Sequence, residues 1–148
     1  MTVHKVLIGG EWREASGSST FQAEDPAAMK PLPDAYPVSE WAECEAALAA
    51  AQCAAAGLRS KTGADLAGFL ESFADRIETR RDEIVETAHR ETALPVSPRL
   101  ADVELPRTTG QIRQAAAAAR EGSWSLPVID TQTGIRSVHG PLGPVCVF

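Results

Sequence analysis

Three thiols, Cys44, Cys53 and Cys146, are the most reactive groups in this sequence, and a cysteine acts as a nucleophile or metal ligand only as the thiolate. Their odd number and spacing match no zinc or disulfide framework, which favours reduced packing thiols. Cys44 falls on an apolar helical stripe. Cys146 sits between Val145 and Val147, where burial would raise its pKa and make it unreactive. His89 stands among Thr87, Arg90 and Glu91 with no partner at ligand spacing, so it reads as a solvated helix position rather than a base. No catalytic set and no metal site emerges from these residues.

The elements that would carry any such group follow from local pattern. Lys5 to Ile8 and Glu11 to Arg13 flank Gly9-Gly10, a link that suits a type I′ or II′ hairpin with Trp12 packed beneath it. Phe21 to Glu24 alternates as a short strand, and Asp25-Pro26-Ala27 turns the chain. Prolines 31, 33 and 37 should keep the next connection extended and irregular. Ser39 reads as the N-cap of a helix ending near Gly57, with Trp41, Cys44, Leu48, Ala51, Ala55 and Leu58 on one face.

Thr62 and Asp65 form a capping-box signal, and Leu66, Phe69, Leu70, Phe73, Ala74 and Ile77 follow at helical spacing. Of these, Leu66, Phe69, Leu70, Phe73 and Ile77 should form the best-buried helix face in the chain. A polar interruption at residues 78–82 separates it from a second stripe, Ile84, Val85 and Ala88, which Leu94-Pro95 ends. Ser97-Pro98 opens another helix running to Gly122, with a break expected at Leu105 to Arg107 because Pro106 removes a backbone bond. Its alanines, Ala115 to Ala119, suggest close helix packing. Trp124 to Val138, turning at Gly134, reads as a two-stranded arm, and an isolated hairpin is marginal in water.

The chain of 148 residues has globular composition, 44% hydrophobic and 23% charged, and its length suits one domain. With 14 basic and 20 acidic residues the net charge is −6. The absence of a basic cluster argues against nucleic acid or an anionic membrane as partner. No signal peptide or apolar run of membrane-spanning length is visible, and a cytoplasmic location is expected. Gly140 to Phe148 reads as a strand buried on both faces, which needs neighbours on both edges. The polypeptide is therefore expected to be the front piece of a larger protein.

Leu7-Ile8-Gly9-Gly10-Glu11-Trp12, Asp25-Pro26-Ala27, Glu91-Thr92 and Pro141-Leu142-Gly143-Pro144-Val145, in that order, resemble the N-terminal part of an aldehyde dehydrogenase. Arg107-Thr108-Thr109-Gly110-Gln111-Ile112-Arg113 and Arg120-Glu121-Gly122-Ser123-Trp124 look like the branch acting on 2-oxoglutarate semialdehyde (2,5-dioxopentanoate); Pro106 departs from the smooth helix of that pattern. The resemblance implies an α/β fold: an N-terminal hairpin and helical layer over residues 1–123, an oligomerisation arm over 124–139, and the truncated first strand of a Rossmann-like cofactor sheet over 140–148.

It further implies NAD or NADP as cofactor in the complete enzyme, an aldehyde substrate and a homo-oligomer. The family's chemistry is thiolate attack on the aldehyde, hydride transfer to the nicotinamide and thioester hydrolysis. The catalytic cysteine, general-base glutamate, oxyanion asparagine and nucleotide-binding glycines match no position here, so the chain alone should be inactive. Phe148 matches a position on the rim of the cofactor site. Arg107, Gln111 and Arg113 match a helix near the substrate channel, where an arginine would suit a carboxylate; ordinary surface arginines are the other reading. The alternative class is a stand-alone helical interaction module without catalysis.

Overall fold

The computed structural model describes residues 2–147. Strand β1 is Thr2–Val3, β2 Val6–Ile8 and β3 Glu11–Arg13. Gly9 and Gly10 take φ of 62° and 87°, the pair of positive values a type I′ turn requires. The hairpin β2–β3 accordingly forms with Leu7 opposite Trp12 and Ile8 opposite Glu11. Its pleat buries Ile8 and leaves Trp12 65% exposed, so Trp12 does not pack beneath the hairpin as its size suggests. The side of the hairpin carrying Ile8 is the side that meets a helix, with Gly9 close to Ala50.

Strands β4 (Thr20–Asp25) and β5 (Lys30–Pro37) pair antiparallel, and β1 adds to β5 in parallel. The carboxylate of Asp25 accepts from the amides of Ala27 and Ala28 at 2.8 and 3.0 Å, fixing the Asp25-Pro26-Ala27 turn. Residues 31–37 are extended and their ladder is irregular, as expected, but they pair as a strand, because the ladder bulges around the prolines. Gln22 pairs with Ala35 and Glu24 with Pro31, so Pro33 lies in the bulge, and the Gln22 amide donates to the Leu32 carbonyl at 2.6 Å.

Helix α1 (Trp41–Leu58) is capped by Glu40 rather than Ser39, in a capping box with Glu43. One Glu43 oxygen accepts from the Glu40 amide and the other from the Ser16 amide, tying the loop after the hairpin to the helix start. No residue of α1 is fully buried, and Cys44 is half-buried rather than a core residue. The main partner of α1 among the described elements is the short strand β2, and the other side of the helix opens on a groove shared with Leu66 and residues 141–145.

Helix α2 (Gly63–Thr79) has the expected cap: the Thr62 hydroxyl accepts from the Asp65 amide, and Asp65 accepts from Thr62. Its buried face is not the aromatic stripe. Ala67 and Ala74 are fully buried, whereas Phe69 is 68% and Phe73 49% exposed. Arg80 breaks the helix, and α3 (Arg81–Thr92) follows, ending at Ala93 with φ of 57°. His89 is half-buried, not solvated, and its Nδ1 lies 2.6 Å from the Leu94 carbonyl oxygen beyond the helix end.

Ser97 is extended (φ −117°, ψ 140°), and after it the chain runs through a π-helical stretch to Glu104 and on without a break into α4 (Leu105–Glu121). The expected interruption at Pro106 is absent for a physical reason. The Leu105 amide donates to the Leu100 carbonyl, five residues back, and this wider turn accommodates the proline near the start of α4. Leu105, Leu100 and Val85 form the buried cluster, joined by Ile77, Ala88 and Ala101. Gly122 ends α4 with φ of 78°.

After a short 3₁₀ turn at Ser123–Ser125, β6 (Val128–Ile129) and β7 (Arg136–Ser137) pair antiparallel as the arm. Residues 141–147 form no strand and Cys146 is exposed, which corrects both expectations for this segment. No other strand among the described residues pairs with them, so the apolar run has no ladder to join. Phe148 lies outside the described residues. The fold is α/β, and no helix among the described residues is long and apolar enough to cross a membrane.

Candidate functional site

Arg107, Gln111 and Arg113 all belong to α4, whose buried face is Leu105, Thr109 and Ala116. That face lies against α2, which runs antiparallel to it: Gly63 at the start of α2 abuts Ala119 near the end of α4. The contact is built from small residues, with Ala67, Ala74 and Ala116 all at zero exposure, so the two backbones approach closely. Thr109 is buried too, with its hydroxyl on the Pro106 carbonyl at 3.3 Å.

Charges line the edge of this contact. Arg113 donates to Glu78 at 2.6 and 3.1 Å and to Asp75 at 2.8 Å. Arg120 donates through both terminal nitrogens to Glu71 at 2.9 and 3.0 Å. These hydrogen bonds hold the Glu78 and Glu71 carboxyls below their ordinary value of 4.5, chiefly through Arg113 and Arg120 respectively. The signal was present in the sequence: the acids at 71 and 78 and the arginines at 113 and 120 are both seven apart, the spacing that aligns two antiparallel helices.

A pH dependence follows. Because the folded pKa values are depressed, these pairs contribute stability above the unfolded value, and the contribution is lost as pH falls through the folded values. Urea midpoints should therefore decline below about pH 4.5, and the decline should be shallower in Arg113→Gln/Arg120→Gln. An identical acid profile in that variant would show the pairs do nothing. All these groups are exposed, so the effect at neutral pH is small.

The three predicted residues thus separate. Arg113 faces α2 with its guanidinium engaged by two acids, while Arg107 and Gln111, one helical turn apart, lie exposed on the outer side of α4. Arg107 pairs with Glu104 at 3.0 Å, and Glu104 also takes Arg99 at 2.6 Å. The role of Glu104 as shared acceptor escaped the sequence reading, although Glu104 and Arg107 stand at i,i+3 spacing. An exposed guanidinium with an amide one turn away offers donors to a carboxylate.

A dinucleotide requires free backbone N–H groups at a glycine-lined helix start. The starts of α1 and α2 do not fit that requirement, being occupied by the carboxylates of Glu43 and Asp65, which would repel a pyrophosphate. No step of cofactor chemistry is assigned to these residues.

The sequence pattern of the aldehyde dehydrogenase family matches residues 12–148. The chain belongs to that family. It is 36% identical to alpha-ketoglutaric semialdehyde dehydrogenase 2 of Azospirillum brasilense, over 97% of this chain and 29% of that protein. A probable aldehyde dehydrogenase of Mycobacterium tuberculosis is 31% identical over 94% of this chain and 27% of its own length. This aldehyde dehydrogenase chain therefore spans under a third of the length of the relatives it matches.

Solved structures agree with the fold. An NAD-dependent benzaldehyde dehydrogenase from Corynebacterium glutamicum superposes with a TM-score of 0.74 at 24% identity, covering 86% of this chain and 26% of that one. A succinate-semialdehyde dehydrogenase from Burkholderia pseudomallei gives 0.61 at 31% identity, covering 84% and 25%.

Proposed function

We propose that these residues are the N-terminal layer of an aldehyde dehydrogenase that oxidises 2-oxoglutarate semialdehyde to 2-oxoglutarate with NAD or NADP. The observation that carries this reading is the 36% identity, over 97% of the chain, to a protein named for that substrate. In the complete enzyme, residues 1–123 form the hairpin and helical layer, 124–139 the arm that contacts another subunit of a homo-oligomer, and 140–148 the first strand of the cofactor sheet. Its location is cytoplasmic.

Arg107 and Gln111 are the residues proposed to meet the substrate carboxylate, since both are exposed on one side of α4, with Arg107 sharing its guanidinium with Glu104. Arg113, the third member of that set, acts there only if it leaves Asp75 and Glu78. Phe148 borders the nicotinamide side of the cofactor. The competing reading, a stand-alone helical module, draws on the α2–α4 pair, which closes within this chain.

The chain of 148 residues alone is expected to give no turnover of 2,5-dioxopentanoate with either nicotinamide cofactor. Cys146 is exposed, but among the described residues no hydrogen bond links it to a base that would activate it. Turnover by the 148 residues that disappears on Cys146→Ser would overturn this. The gene downstream of codon 148 decides between the two readings. Continuation into an Asn-Phe-Pro motif with restored turnover supports the dehydrogenase, and a stop codon with a stable product supports the module.

A further inference from the structure

Glu104 serves two arginines at once. One of its oxygens lies 2.6 Å from Arg99 and the other 3.0 Å from Arg107. The Glu104 side chain is 23% exposed, against 54% for Arg99 and 65% for Arg107, so the carboxylate is the seated member and the two guanidiniums reach in to it. Its pairing with Arg107 is ordinary helix geometry, since neighbours on an α-helix stand three or four residues apart. Arg99, however, stands five before Glu104. The π-helical turn, whose amide bonds five residues back, is what sets Arg99 against that carboxylate.

We propose that Arg99 and Glu104 set how strongly the enzyme binds a carboxylate-bearing aldehyde, by controlling how much of the Arg107 guanidinium is free to take the substrate carboxylate. This rests on the reading of Arg107 as the residue that meets that carboxylate. Glu104 is a carboxylate too, so it competes with the substrate for the same donors. Alone with Arg107 it would neutralise it. Arg99 brings a second positive charge to the one negative charge of Glu104, and it remains a partner for Glu104 when Arg107 turns outward. The exchange of Arg107 from Glu104 to substrate therefore leaves no charge unpaired.

Opposite signs follow for two residues that do not touch the substrate. Glu104→Gln removes the competing charge at constant size and should tighten carboxylate binding, whereas Arg99→Gln leaves Glu104 with Arg107 as its one cation and should weaken it. Each shift is about 3- to 5-fold, the size of a solvent-exposed ion pair. Arg99 acts through Glu104, so Arg99→Gln should add little once position 104 is glutamine. The carboxylate is remote from the reacting aldehyde carbon and its contacts are the same before and during reaction, so the effect falls on KM rather than kcat. Loss of a merely structural contact would act in one direction at both positions.

Steady-state kinetics of the complete enzyme with 2,5-dioxopentanoate and with pentanal, an uncharged aldehyde of the same length, test this. The readout is the KM for pentanal divided by the KM for 2,5-dioxopentanoate, in which damage common to both substrates cancels. The ratio should rise about 3- to 5-fold in Glu104→Gln and fall by as much in Arg99→Gln. It should fall by about 10-fold or more in Arg107→Gln, where the charged donor itself is lost, and Arg99→Gln/Glu104→Gln should match Glu104→Gln. A ratio that falls in Arg107→Gln but moves in one direction, or not at all, in the other two single variants would overturn the inference and leave the substrate reading standing. So would an Arg99→Gln effect that persists in full beside Glu104→Gln. A ratio unchanged in Arg107→Gln would instead overturn the reading of Arg107 as the carboxylate donor, and the inference with it.

Discussion

Gly63→Ala is expected to destabilise the chain by about 1 to 3 kcal/mol, against the ordinary rule that alanine favours a helix over glycine. A methyl at Gly63 would lie 2.1 Å from the carbonyl oxygen of Ala119, a separation that real side chains do not occupy, and 3.1 Å from its carbon. Both atoms are backbone, so no rotamer change relieves the overlap, and α2 must move away from α4. That movement opens the contact of Ala67 and Ala74 with the facing helix and stretches the Arg120–Glu71 pair, which sits about two turns further along. The gain in helix propensity is at most about 1 kcal/mol and is smaller at a first-turn position. Urea denaturation at neutral pH measures the difference. An unchanged or raised midpoint would mean the two helices can separate without loss, and that the small-residue contact does not hold them.

That contact illustrates which parts of the fold are legible in the sequence. Features whose partners lie within a few residues are read directly: Gly9-Gly10 as a primed turn, Thr62 with Asp65 as a capping box, and Gly122 as a helix stop all form as their local chemistry requires. The buried side of α2 is different, because the helix has two coherent faces, one of large apolar residues and one of small ones. Periodicity reports that a face exists and size suggests the aromatic one. The choice is made by α4, whose buried Ala116 accepts only a flat neighbour.

The candidate site shows the same division. Arginine type and helix position identify Arg107 and Arg113 as possible carboxylate donors, yet the acceptors of Arg113 lie 35 and 38 residues away in sequence. Nothing near Arg113 tells that it faces α2. The last segment fails for a related reason: Val145-Cys146-Val147 has strand composition, but a strand exists only where another strand receives its hydrogen bonds. Here the propensity is present and the partner is not among the described residues.

Leu105→Ala and Phe73→Ala should reverse the order that side-chain size predicts. Leu105 is 6% exposed and packs with Val85 and Leu100 at the junction of α3, the π-helical turn and α4. Removing its isobutyl group leaves a void that three elements would have to collapse together to fill, which costs about 2 to 5 kcal/mol. A cleft of about 130 Å³ already borders the cluster, lined by Ile77, Ile84 and Ala88 among others, so water can enter the space and the loss should fall toward the lower end of that range. Phe73 is a larger side chain, and fully enclosed it would cost about 3 to 5 kcal/mol. With 49% of it exposed and stacked on a still more exposed Phe69, truncation should instead cost below about 1.5 kcal/mol. Melting of both variants against the parent checks the pair. A larger loss for Phe73→Ala than for Leu105→Ala would place the core of this chain on the aromatic side of α2 and overturn the packing described above.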